Sequence, residues 1–286
     1  MKKSTKTSII TGIIIAVIGI VVVLCALGMS GWKFKNIRKW ESQSVAFDTP
    51  ITKLKMEVNA GQATVTRGAT DKIVVTYDYD DAYQPEITTK DNGNVLSVVT
   101  GKKHWYEFNF WFGNAPTIKI EIPQDWTPNV YVTLNAGSLS IGNGDWSELM
   151  EVELNAGAVS IGDVTVEELR IDINAGALEM GKIVSNKVTC NISAGAFTVK
   201  EITCSTFECD VSAGGANVKK LDASRIKVDV SAGSANLGLV GAKSDYSIGV
   251  DKSAGSCNVT TQTSASASRS LHVDISAGSV EVSFGK

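Results

Sequence analysis

The sequence predicts an all-β fold: a single-stranded β-solenoid (β-helix-like) with coils of ~19 residues, preceded by one N-terminal transmembrane helix. Three observations predict it. A triplet of small residues, Asn-Ala-Gly or Ser-Ala-Gly, recurs at a near-constant interval. The residues around the triplet alternate apolar with polar, and one uncharged apolar run stands near the N-terminus.

The triplet glycines are Gly61, Gly137, Gly157, Gly176, Gly195, Gly214, Gly233, Gly255 and Gly278. After the first, successive intervals are 20, 19, 19, 19, 19, 22 and 23 residues, and a short fixed period of this kind marks stacked coils. The first interval, 76, equals four periods of 19. The stretch between Gly61 and Gly137 therefore has room for degenerate coils in the same register.

Counting back from each glycine, apolar residues fall seven before (Leu169, Val188, Phe207, Ile226), five before (Ile171, Cys190, Cys209, Val228) and three before (Ile173, Ile192, Val211, Val230). This period of two is that of a β-strand with one face buried. Apolar residues return two, four and seven after the glycine, as in Leu178, Met180 and Ile183, so a second inward-facing segment follows. Between the segments the triplet forms a corner, because glycine accepts positive φ, alanine is small, and Asn or Ser can bond local backbone. A second corner is expected at Ser185-Asn186, Cys204-Ser205 and Ala223-Ser224, giving two segments and two bends per coil. The C-terminal LHVDISAGSVEVSFGK is a complete repeat and reads as the last coil, with Asp274, Glu281 and Lys286 guarding its outer edge.

The domain organisation follows. Residues 1–8 form a short basic tail, 9–29 the transmembrane helix, 30–44 a juxtamembrane linker and 45–286 the repeat domain, with degenerate coils over 45–134 and regular coils over 135–286. Ile9 to Met29 carries no charge over 21 residues, enough to span the hydrocarbon core. The run exceeds an ordinary signal-peptide core and Ala26, Gly28 and Ser30 make a weak cleavage site, which favours an uncleaved anchor. Lys2, Lys3 and Lys6 on one side balance Lys33, Lys35, Arg38 and Lys39 on the other, so charge does not orient the helix. The short tail favours an extracytoplasmic C-terminal domain.

A net charge of −3 gives no reason to expect a nucleic-acid partner. The repeat-domain cysteines make no C-x-x-C pair and the chain has two histidines, His104 and His272, so no metal or cofactor is expected and the thiols read as small buried hydrophobes. Stacked corners align Asn59, Asn135, Asn155 and Asn174 and then Ser193, Ser212, Ser231, Ser253 and Ser276, a row read as a structural hydrogen-bonded ladder rather than a ligand stripe. Four before the glycine stands an outward acidic row, Glu57, Glu153, Asp172, Asp210, Asp229, Asp251 and Asp274. It reads as a solvated edge rather than a calcium site, since no glycine-aspartate nonapeptide accompanies it.

One stretch departs from this economy of small residues. HWYEFNFWFGN, residues 104–114, packs six aromatics into eight positions and is the candidate partner-binding segment. Trp105, Tyr106 and Trp111 are its proposed contacts, because Trp and Tyr commonly anchor interfaces. The alternative is an aromatic strand covering the solenoid.

The basic tail, the single apolar run and repeats such as VDVSAGSANLGLV and VTCNISAGAFTV together resemble the bacterial “putative adhesin” family of membrane-anchored β-strand-repeat domains, found in Firmicutes among others. The resemblance spans roughly residues 45–286 and implies a β-repeat fold, no catalytic residues, and a role in adhesion or the envelope stress response. The expected function is that of a non-enzymatic membrane-anchored surface protein with a cell-wall, glycan or protein partner. Two alternatives are a cytoplasmic polymerising β-helix scaffold like the bactofilins, and a polysaccharide-active β-helix enzyme, which would need long loops walling a cleft.

Overall fold

The computed structural model describes residues 40–48, 51–79, 83–100, 116–264 and 267–285. The chain falls into two units, Met1–Lys39 and Trp40–Lys286. The apolar run 9–29 and the basic tail lie outside the described residues, among which no helix is long and apolar enough to cross a membrane. The repeat unit starts at Trp40 rather than at Val45: a strand begins at Glu41, and the Trp40 ring packs edge-on against Tyr83 at 5.5 Å.

Twenty-one strands join one sheet among the described residues. The first seven are β1 (Glu41–Phe47), β2 (Lys53–Val58), β3 (Gln62–Gly68), β4 (Ile73–Tyr79), β5 (Glu86–Lys90), β6 (Val95–Thr100) and β7 (Thr117–Pro123). The regular repeats supply β8 (Asn129–Leu134), β9 (Ser138–Ile141), β10 (Gly144–Asp145), β11 (Leu149–Leu154), β12 (Ala158–Ile161), β13 (Val164–Ile173), β14 (Ala177–Ile192), β15 (Ala196–Val211), β16 (Gly215–Val230) and β17 (Ser234–Leu239). The chain ends in β18 (Tyr246–Lys252), β19 (Ser256–Cys257), β20 (Arg269–Ile275) and β21 (Ser279–Phe284).

The regular coils pair in parallel with the predicted register. Ile171 lies beside Cys190, Cys190 beside Cys209 and Cys209 beside Val228, each one coil apart. Stacked positions thus carry like side chains into one continuous core, where Phe197, Phe207, Val188 and Leu221 are wholly enclosed. Burying each such side chain contributes about 1.5–3 kcal/mol.

Within a coil the predicted second corner is not a break. β14, β15 and β16 each run 16 residues through it, and the bends show instead as shifts of the in/out phase. In β14 the enclosed residues are Leu178 and Met180, then Ile183, then Val188, Cys190 and Ile192. The even spacing is broken after Met180 and again between Ile183 and Val188. Strict alternation allows one face inward, so each shift requires the backbone to turn while keeping its apolar residues inside. Each coil therefore has three short sides, where the alternation alone suggested two.

The triplet corners also come in two backbone forms. Gly61, Gly137, Gly157 and Gly176, which follow Asn-Ala, have φ of +104° to +108°. There the Asn side chains form a ladder: the amide of Asn135 donates to Asn59 Oδ1 at 2.6 Å, Asn155 to Asn135 at 2.9 Å and Asn174 to Asn155 at 2.7 Å. From Gly195 onward the Ser-Ala-Gly corners replace this ladder with a backbone one, in which the Ala213 amide donates to Ser193 O at 2.8 Å and Ala232 to Ser212 O at 2.7 Å, and Gly255 joins it while keeping a φ of +89°. The Asn row is thus structural, as expected, and the Ser corners keep the stack through main-chain bonds.

Both ends of the stack depart from sequence order. β2 pairs directly with β8 and β3 with β9, so the coil of Gly61 rests on the coil of Gly137. No degenerate coils intervene, and the 76-residue interval is an excursion instead. On one side it adds β7 beside β3 and then the antiparallel β4, on which β1 from before the interval pairs in turn; on the other it adds β6 beside β2 and then the antiparallel β5. Antiparallel strands end a parallel ladder without offering another coil the same pairing edge. Asp78 in β4 ties this end together by accepting from Ser42 Oγ at 2.7 Å, Thr117 Oγ1 at 2.6 Å and the Thr117 amide at 3.1 Å. Burial alone would push its carboxyl up, but these bonds outweigh burial and hold it below the usual range.

At the other end the last repeat is inserted rather than terminal. β20 lies between β16 and β18, and β21 lies between β17 and β19. The triplet of Gly278 therefore sits between those of Gly233 and Gly255 in space, and LHVDISAGSVEVSFGK is not the outer coil. The outer strand β18 is covered in turn: Ile248 and Gln262 exchange backbone hydrogen bonds at 2.8 Å, and Asn258 spans the edge of β21 through both Val282 backbone groups at 2.8 Å. Asp274 and Glu281 guard no free edge.

Candidate functional site

The coils carry three outward faces on one hydrogen-bonded sheet. The predicted contacts Trp105, Tyr106 and Trp111 lie outside the described residues, in the connection between Thr100 of β6 and Thr117 of β7. Their anchors are placed, however. Both flanking strands belong to the capped N-terminal end of the stack, so the segment leaves from that end and not from the regular coils.

The outward acidic row is assembled by the pairing as expected, but in a spatial order the sequence hides: Asp172, Asn191, Asp210, Asp229, Asp274 and then Asp251. Its first part is internally satisfied, with Asn191 donating to Asp172 at 2.6 Å. Farther along, four carboxylates stand on consecutive strands. Burial, with the neighbouring Asp229 carboxylate, pushes the Asp210 carboxyl up. Burial also acts to raise Asp229, but the Lys227 ammonium at 2.6 Å prevails and holds it low.

On the face one and three residues after the triplet, small side chains leave a shallow groove of about 460 Å³. Ser138, Ser140, Ser160, Thr64, Ala158 and Ala177 line it, with Glu179 at one side. Its hydroxyls offer donors and acceptors. A second groove of about 470 Å³ follows the bend beyond it, between Arg67, Asn143, Asp145, Asp163 and Lys182. Arg67 is not free to act there. Its guanidinium donates to the carbonyls of Pro123, Gln124, Trp126 and Asp145 at 2.6–3.1 Å and lies 4.9 Å from the Trp146 ring centroid. It holds the N-terminal excursion against the stack.

Cys190 and Cys209 occupy the predicted inward register and are enclosed, while Cys204 and Cys257 are partly buried. Burial pushes the Cys190 thiol well above its ordinary value and Cys204 up to about 12. A thiol in that state is not a nucleophile at neutral pH. Maleimide labelling of the folded chain, read by peptide mass mapping, should leave Cys190 and Cys209 unmodified while the partly buried Cys257 reacts, and all should react once denatured. Labelling of Cys190 at the rate of Cys257 would mean that the core opens readily.

These features are those of a coil-stacked β-structure with shallow outer faces, and the comparisons with known proteins agree. A family model described as Toastrack DUF4097 matches residues 51–284. The chain belongs to the Toastrack family. Two solved structures share the Toastrack fold with it at 14% identity. A “putative adhesin” from Bacteroides fragilis superposes with a TM-score of 0.53 over 86% of this chain and 97% of its own. A second “putative adhesin”, from Parabacteroides distasonis, gives 0.51 over 86% and 98%. No curated protein sequence matches the chain.

Sequence reasoning missed one grouping on this Toastrack domain, the approach of Asp251, His272 and Asp274. The signal was present in the spacing. Intervals of 22 and 23 residues after a run of 19 mark the coils where the chain order is permuted.

Proposed function

We propose that the chain is a non-enzymatic, membrane-anchored surface protein whose Toastrack domain presents a rigid face outside the cell to a cell-wall, glycan or protein partner. The observation that carries this reading is the in-register stacking of the outward rows of the regular coils on one hydrogen-bonded sheet. Such a frame fixes side chains at strand spacing and needs no rearrangement to bind. The grooves on it are shallow, Cys190 and Cys209 are enclosed, and the Asn ladder is consumed by the fold, all of which suit a binding surface better than a catalytic cleft. The solved structures described as adhesins share this architecture, and the apolar run 9–29 would tether the domain. The bridge laid over β18 and the change to antiparallel pairing at the N-terminal end count against a scaffold that polymerises by repeating the coils' parallel pairing.

The reading is tested by replacing Trp105 and Trp111 with Ala in the full chain. Binding to cell-wall fractions and to liposomes should fall at least about tenfold, as expected for loss of two aromatic anchors, while circular dichroism stays unchanged. Unchanged binding would remove these residues as contacts. An epitope at the C-terminus should be accessible on intact cells, and protection of the epitope until the cells are opened would place the domain in the cytoplasm.

A further inference from the structure

We propose that Asp251, His272 and Asp274 form a binding site for a divalent transition-metal ion on the outer face of the inserted C-terminal coil. The proposal does not rest on the adhesion reading. Asp274 and Asp251 are direct neighbours on β20 and β18, and His272 lies on the same face of β20 two residues before Asp274. His272 Nε2 lies 3.1 Å from Asp274 Oδ2 and 3.9 Å from Asp251 Oδ2, and one donor atom from each residue falls within 4.8 Å of the others. A tetrahedral ion with bonds of about 2.0–2.1 Å holds its donors about 3.3–3.4 Å apart. The observed separations bracket that value, so small side-chain movements close the site.

Two further observations favour an ion over a simple His–Asp pair. The residue opposite His272 is Gly249, and a Cβ there would come within 3.0 Å of His272 Nδ1. Glycine at this position lets the imidazole lie across the neighbouring strand toward Asp251. Moreover, Asp210, Asp229, Asp274 and Asp251 occupy consecutive strands, where like charges directly opposite one another destabilise a sheet. Lys227 answers Asp229 at 2.6 Å through one oxygen, but Asp229 Oδ1 is enclosed without a hydrogen-bond partner. A dication bound by Asp274 and Asp251 offsets the excess charge at the end of this row.

The donor set fixes the chemical class. One imidazole with two carboxylates suits Zn²⁺ or Mn²⁺, whereas Ca²⁺ takes six to eight oxygens and gains little from the imidazole. Three protein donors leave at least one position for water or a partner's carboxylate. The side chains are 43–76% exposed, so modest affinity is expected.

Calorimetric titration of the full chain in detergent with Zn²⁺, Mn²⁺ and Ca²⁺ tests the proposal. Zn²⁺ or Mn²⁺ should bind with a one-to-one component that His272→Ala and Asp251→Asn each weaken at least roughly tenfold. Asp172→Asn, in the same row but distant, should leave it unchanged. Circular dichroism of each variant guards against a folding defect, and these exposed residues bear no core packing. Absence of a saturable component, an identical isotherm for His272→Ala, or a Ca²⁺ site indifferent to His272 would each overturn the proposal and leave an ordinary His–Asp pair.

Discussion

Replacing Gly137 with alanine lowers the melting temperature of the full chain by more than about 10 °C or abolishes folding, whereas Gly93→Ala lowers it by only about 2–8 °C. The contrast separates two costs that a single corner substitution would merge. Both glycines have positive φ, +108° at Gly137 and +92° at Gly93, and a left-handed conformation costs an L residue about 1–2 kcal/mol. For a domain of this size each kcal/mol shifts the melting point by about 2–4 °C. Gly93 has open space around its missing Cβ, so it carries this cost alone. At Gly137 the Cβ would meet Gly61 O at 2.1 Å, and that oxygen already accepts the Ser138 amide at 3.0 Å. The obstacle is backbone, held by the ladder, so the coils must part. Gly195→Ala completes the series, because its φ is not positive but its Cβ would lie 2.3 Å from Ile173 Cγ2 and 2.7 Å from Gly176 O. A melting shift at Gly195 smaller than at Gly137 and larger than at Gly93 is expected. Equal shifts at Gly137 and Gly93 would mean that the close stacking of triplets contributes nothing.

This series also marks where the sequence was legible. The repeat of Ile171, Cys190, Cys209 and Val228 could be read at 19-residue spacing because stacked parallel coils bring each residue to its own copy, so period in sequence becomes contact in space. The corner glycines could be read for the same reason. The three-sided coil was harder, since a phase shift of one residue between Met180 and Ile183 looks like noise until the core is known to lie on every side. The ends were misread because period says nothing of order. A 76-residue gap that is a multiple of 19 looks like four hidden coils, yet β2 pairs with β8 across it. Nothing local in IGVDKSAGSCNV distinguishes an outer coil from an inner one, and only its 22-residue offset does so. The site at His272 depends on that order, to which only the 22- and 23-residue intervals point. The aromatic segment was legible by composition alone, which identifies a departure from the repeat without placing it.

Deleting residues 269–286 should unravel the C-terminal end back to about Val240, a larger loss than removal of a last coil from a sequential stack. In such a stack each coil touches only its neighbours, so trimming the final one breaks a single interface. Here β20 and β21 occupy the gap between β16–β17 and β18–β19, and their removal breaks two. Leu271, Val273, Ile275, Val280 and Val282 are all enclosed, at 3% exposure or less. Their loss forfeits roughly 8–15 kcal/mol of apolar burial, comparable to the roughly 5–15 kcal/mol that stabilises a whole domain. β18 cannot move up to replace β20 against β16, because Lys252 would then stand where Ile275 packs and offers no apolar side chain for that site. The coils from Asn129 to Val211 retain their neighbours and should keep part of their protection, while Arg225–Val230 lose β20. Hydrogen exchange and limited proteolysis should therefore show residues 246–257 exposed in the truncated chain although none of them was removed, with cleavage sites extending toward Val240. Continued protection of Ile248 and Val250 at the level of the intact chain would mean that β18 finds another partner and that the insertion of the last repeat does not hold this end together.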